Sequence, residues 1–244
     1  MPEWQLLNAR LTCFVTPDAI LPSALWQEVV GDEPEHSIKQ RALSLTSDSG
    51  RFADGTLTLN ILPSRIDWVY EAVGIRADGG GPALMGPFPT AAEPLVEIGC
   101  RWAAMASFPH TSRIALGVTL VSPVSDRETG YLELANFVDG VPDAAEASDF
   151  HYQVNYPRPS RAGVEGLLIN RLAKWSVNAF RLGILGPGGM TTSIGEIKTH
   201  LNLELDINTS ADREAPIPKE NVESVINDLL EGAREIVARR RNRQ

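Results

Sequence analysis

The chain has 244 residues, 43% of them hydrophobic and 22% charged, with a formal net charge of −9. A chain of this size and composition can bury a core without disulfide or metal staples, which excludes an extended disordered polymer. The acidic balance argues against a general nucleic-acid binder, which draws its affinity from a basic face, and no apolar run is long enough to span a bilayer as a helix.

Residues 6–15 are apolar and β-compatible and predict a first strand, broken by Pro17 and Asp18. A short helix follows over 24–30, with Ser23 as its expected N-cap and Gly31 just beyond its end. Residues 38–46 predict a second strand, closed by the turn-forming residues Asp48-Ser49-Gly50 and Asp54-Gly55. The alternation in 57–61 and 66–70 predicts two more strands around Pro63. Glycine and proline then mark 74–90 as loop. Residues 91–108 predict a helix, with Leu95, Ile98, Trp102, Met105 and Ala106 at helical spacing and Pro94 in the first turn. Strands are expected over 113–121, 150–156 and 172–185, with a short extended element over 131–138. The cleanest alternation in the chain is 201–208, Leu-Asn-Leu-Glu-Leu-Asp-Ile-Asn. After Pro218, an apolar stripe of Val222, Val225, Ile226, Leu229, Leu230, Ala233, Ile236 and Val237 predicts a long amphipathic terminal helix.

Strands that follow one another without intervening helices imply antiparallel pairing. The expectation is an α+β fold of mainly antiparallel sheet in the order β-α-β-β-α-β-β-β-β-α, with the terminal helix packed on the sheet. Residues 1–244 form one α+β domain in this reading, with a division near 110 into two subdomains as the alternative. The strand pair ending at Trp68, the helix carrying Trp102, the segment Arg113-Ile114-Ala115-Leu116-Gly117, the 203–208 strand and the terminal helix together resemble a sporadically distributed prokaryotic family of similar chain length. The resemblance implies this element order and brings no activity, cofactor or catalytic residues with it. The chain departs from that family in lacking a proline-rich segment before the first strand, and in having Val118-Thr119 where an aromatic pair is usual.

The strongest chemical pattern is the stripe His200, Asn202, Glu204, Asp206 and Asn208, whose side chains share one strand face. A histidine with two carboxylates suits a divalent metal or acid–base work; the alternative is the solvated face of a strand whose Leu201, Leu203, Leu205 and Ile207 point to the core. Arg65 and Asp67 share a strand face and are either a local ion pair or a ligand-binding pair. The four histidines, His36, His110, His151 and His200, show no paired metal spacing, and no zincin, Cys-x-x-Cys or nucleophile-elbow motif occurs. Two glycine-rich segments, Gly79-Gly80-Gly81 and Gly186-Pro187-Gly188-Gly189, lack the context of a dinucleotide or phosphate loop and read as connectors. Of the five tryptophans, Trp102 lies on its helix stripe, while Trp4 and Trp26 are candidates for contact residues as well as for the core.

Cys13 and Cys100 have no disulfide pattern, and the segment Met1-Pro2-Glu3-Trp4 has no secretion signature, so a reducing, cytoplasmic location is expected. The basic run Arg239, Arg240, Arg241 and Arg243 reads as a solvated helix end, or else as a contact for nucleic acid or an acidic partner. With no catalytic motif and no cofactor expected, the functional expectation is a non-catalytic interaction protein with a protein partner or a homo-oligomeric state. Its interface is expected on the terminal stripe at Val222, Val225, Leu229 and Ile236. The alternative is a ligand-binding, metal-binding or hydrolase-type domain acting through His200, Glu204 and Asp206.

Overall fold

The computed structural model of the chain describes residues 3–74, 81, 83–143, 145–185, 191–213 and 215–240, and for 181–185 and 191–196 the backbone alone. The elements are β1 (Gln5–Val15), α1 (Leu25–Val30), β2 (His36–Gln40), β3 (Leu45–Phe52), β4 (Gly55–Leu62), β5 (Arg65–Glu71), α2 (Glu93–Ala104), β6 (Thr111–Val124), α3 (Arg127–Leu134), β7 (His151–Asn155), β8 (Arg158–Pro159), β9 (Leu168–Leu185), β10 (Thr191–Thr209) and α4 (Val222–Ala238). The strands form one ten-stranded sheet in the order β2-β3-β4-β5-β1-β6-β10-β9-β7, with β8 also on β9. Its pairings are antiparallel, and the α+β architecture with a terminal helix on the sheet is the expected one. The strands of both chain halves lie in this one sheet, because β1 pairs with β5 on one side and β6 on the other.

Period-two patterning decides which side of the sheet is dry. Leu11 is aligned with Trp68 on one neighbour and Leu116 on the other, and Leu203 is aligned with Leu120 and Trp175. These six side chains are buried, and the helices pack over them. α2 lies across β1 and β5, α4 lies across β6, β10 and β9, and the two helices touch each other. Gly99 is the point of closest approach: a Cβ there would stand 2.3 Å from Leu11 Cδ2, so only glycine lets α2 sit this deep. Val222, Val225, Leu229 and Ile236, the residues expected at an interface, are buried in this layer. Their stripe is the inner face of α4, covered by the chain's own sheet.

Trp4, Trp26, Trp68, Trp102 and Trp175 are all buried, so Trp4 and Trp26 are core residues and not contact residues. Trp26, Trp68, Trp102 and Phe108 form a continuous run of ring contacts, and Trp4 packs on Phe137 and Trp175. No helix among the described residues is long and apolar enough to cross a membrane.

Several local expectations are corrected. Residues 131–138 are not extended: Asp126 accepts the backbone N–H of Thr129 at 2.7 Å and caps α3, whose Tyr131 and Leu134 are buried at helical spacing. The segment 38–46 is split by a single turn of 3-10 helix over Arg41–Leu43, ending at a left-handed Ser44. Asp48-Ser49-Gly50 lies inside β3, where Ser37 donates to Asp48 across the strand pair; the turn comes at Ala53 and Asp54. In α1 the N-cap position is Ala24 instead of Ser23, while Gly31 closes the helix in the left-handed conformation, as its position suggests. The helix expected over 91–108 ends at Ala104, where Met105 turns extended. The segments Gly79-Gly80 and 186–189 lie outside the described residues, as do Arg241 and Arg243.

Candidate binding face

The described helices lie on one side of the sheet; on the other side Gly81 approaches His200 at one end, and the central strands carry a row of side chains. In register across the central strands this open side carries Asp67 on β5, Thr12 on β1 and Ala115 on β6, and one step along it carries Val69, Arg10, Gly117 and Asp206. The two sequence candidates, the Arg65/Asp67 pair and the polar stripe of β10, therefore lie on the same face, with β1 and β6 between them.

Each candidate is held by its neighbours in a way that narrows its chemistry. Asp67 is only 2% exposed; it accepts Thr12 Oγ1 at 2.6 Å and Arg65 Nε at 2.7 Å. These bonds occupy both of its oxygens, which makes Arg65–Asp67 a structural pair within the sheet. On β10, Asn202 donates to Glu204 at 3.1 Å and to Ser176 at 3.4 Å, while Lys174 on β9 lies 3.4 Å from Glu204. Asn208 donates to Asp206 at 2.9 Å and accepts from Asn170, which in turn accepts from Asn155 on β7. His200 is buried at the far end of the stripe, its ring edge-on to Phe180 at 5.1 Å. Among the described residues no three His, Cys, Asp or Glu side chains lie together as a metal-binding set.

The two cysteines are equally constrained. Burial, and then the charge of Asp67, pushes the Cys13 thiol far above its ordinary value. Burial and Glu223 push Cys100 up to about 11. Both thiols stay protonated at neutral pH, and a protonated thiol is a poor nucleophile.

Between the two candidate groups the open face sinks into a groove of about 640 Å³, with Gly117 and Thr119 of β6 on its floor. Its walls bring together Arg10 and Glu71 on one side and Lys174, Glu204 and Asp206 on the other. Gly117 is what opens it. Arg10 and Asp206 are its register partners on the adjoining strands, and with no side chain at 117 the space between them stays empty. A Cβ at 117 would meet nothing closer than Arg10, at 3.9 Å, so the glycine is not required by backbone packing.

Arg10, Glu71 and Lys174 escape the sequence analysis because each is an ordinary outward-facing position in its own strand. The one local signal was Gly117, a glycine inside an otherwise apolar strand, a position that marks a close approach or an opening. No family model, no curated protein and no solved structure was found to match the chain, so the residues of this face stand on their geometry alone.

Proposed function

We propose that this chain is a non-catalytic binding protein that takes a protein partner on the helix-free face of its sheet, centred on the groove above Gly117. The observation that carries this reading is the groove itself: five charged side chains of both signs around an open floor. Small-molecule sites are mostly enclosed and apolar, with a few polar groups for orientation. A shallow cleft with alternating charge suits a polypeptide surface of complementary charge instead, since such pairs set register and specificity. In the groove, among the described residues, no hydroxyl or thiol is paired with a base, which is what nucleophilic catalysis would need.

The test is native mass spectrometry of the protein purified gently from its host, repeated on Gly117→Val and Lys174→Glu. A defined hetero-complex or homo-oligomer whose affinity falls by about ten-fold or more in both variants is the expected outcome, as for disruption at the centre of an interface. Because the Gly117 position has free space, circular dichroism and the urea midpoint should stay close to wild type. A complex that survives both substitutions moves the interface elsewhere and sinks the proposal. A monomer carrying a small molecule or metal that is lost in Gly117→Val would instead support the ligand-binding reading around Glu204 and Asp206, for which the groove's volume lies in the usual range.

A further inference from the structure

On the opposite side of the sheet from this groove, the C-terminal end of α4 gathers arginines from three separate parts of the chain. Glu235 accepts Arg161 at 2.6 Å through one oxygen; through the other it binds Arg171, with Arg158 Nε 3.5 Å away. Arg158 also pairs with Asp228 at 2.6 Å, and Asp228 accepts Ser160 Oγ and the backbone N–H of Arg161 as well. A fourth guanidinium, that of Arg239, lies over the Tyr156 ring at 3.9 Å, and the backbone carbonyl of the same Tyr156 accepts Arg171 Nε. Arg240 is stacked in turn on Phe137 at 4.1 Å.

The charges do not balance. Arg158, Arg161, Arg171 and Arg239 carry four positive charges, against two on Asp228 and Glu235, which leaves two in excess. Arg239 has no carboxylate partner among the described residues. Two of the cluster's side chains, Arg158 and Arg171, are largely sequestered, at 11% and 16% exposure, where uncompensated charge is expensive. Burial, together with the neighbouring guanidiniums of Arg158, Arg161 and Arg239, holds Arg171 below the usual arginine value in spite of Glu235. Both oxygens of each carboxylate are already engaged by donors of the cluster, and no third carboxylate is paired with these arginines among the described residues.

We infer that Arg161, Arg171 and Arg239, held in place by Glu235 and Tyr156, form a binding site for a compact dianion, namely a phosphate group. Guanidinium forks match phosphate oxygens in geometry, and a phosphate near neutral pH carries about the two negative charges that the cluster lacks. Carboxylate and aromatic partners fix the arginines beforehand, which lowers the ordering cost of binding. The rest of the molecule argues against a long polyanion. With a net charge of −9, the chain as a whole repels a nucleic-acid backbone that extends beyond this patch. The phosphate is free in solution or carried as a monoester on another molecule.

The probes are inorganic phosphate, O-phosphoserine and a short single-stranded DNA, titrated by calorimetry at fixed ionic strength in chloride. The proteins are the full chain, Arg161→Gln, Arg239→Gln, and Arg51→Gln as an equal change of charge at an exposed position on the distant β3. Binding of phosphate or phosphoserine that weakens by about ten-fold or more in Arg161→Gln and Arg239→Gln, and is unchanged in Arg51→Gln, is the expected result. Phosphoserine binding about ten-fold tighter than phosphate identifies an ester-borne ligand, and equal affinity identifies the free ion. Three results would overturn the inference: no binding of either anion, equal weakening in all three variants, or binding of DNA alone with steep salt dependence. Gly117→Val leaves this cluster intact, so failure of the groove and failure of this site are told apart.

Discussion

Asp228 shows how much one buried carboxylate can hold. It joins the loop at 158–161 to the middle of α4 through three donors, and its side chain is 4% exposed. Burial by itself would raise its carboxyl; the bonds from Arg158, Arg161 N–H and Ser160 outweigh that and hold it below the usual carboxylate range. Asp228→Asn should therefore lose about 3 kcal/mol in urea unfolding at neutral pH, because Arg158 is left buried with one charge partner fewer. The sign of the pH effect follows from the depressed value. The stabilisation is fully present above the unfolded-state value near 3.9 and is lost as pH falls through the lower folded value. In acid titrations followed by circular dichroism, the gap between wild type and Asp228→Asn should close only in that strongly acidic window. Lys174–Glu204 makes a useful contrast: at 36% and 47% side-chain exposure, truncating the lysine should cost less than about 1 kcal/mol.

At the scale of the element, α4 is the clearest case. Its stripe is continuous over the whole helix, and every member from Val222 to Ile236 is buried against the sheet or α2. Leu229 is fully buried, so Leu229→Asp places an unpaired charge in the core and should cost about 4 kcal/mol or more. Loss of the near-ultraviolet signal of the buried tryptophans at room temperature would register that outcome. A folded protein that merely dissociates would show that the stripe faces another subunit. Other elements show where local signals mislead. Asp48-Ser49-Gly50 has turn chemistry, yet it sits mid-strand because Ser37 and the neighbouring ladders occupy its polar groups. Residues 131–138 have strand-like composition, but the Asp126 cap and the burial of Tyr131 with Leu134 select a helix.

At the scale of the molecule, β1 decides the architecture. It joins the strands of residues 36–71 to those of 111–209, and without it β5 and β6 would each show a bare edge. A fragment of residues 110–244 should therefore fail to fold to a monomer: β6 loses β1, one of its two partners, and α4 loses α2. The intact chain should unfold in a single urea transition, coincident by far-ultraviolet circular dichroism and tryptophan fluorescence. Two separate transitions would show that the halves are independent in spite of the shared sheet.

The alternation of 201–208 placed Leu201, Leu203, Leu205 and Ile207 in the core and left Glu204 and Asp206 outside. The spacing of Val222 to Ile236 likewise determined the inner face of α4. Both are periodic properties of a single segment, so they are legible wherever the segment later docks. Partnership between segments is not. That Arg10, Gly117 and Asp206 stand in one row depends on β1 and β10 choosing opposite edges of β6, and on the register they adopt there. That Arg158, Arg161 and Arg171 surround one glutamate, with Arg239 stacked nearby on Tyr156, depends on α4 lying across β9. The binding face and the arginine cluster are products of long-range pairing, in which residues far apart in sequence are brought together by the burial of quite different, apolar side chains; no local pattern records that choice.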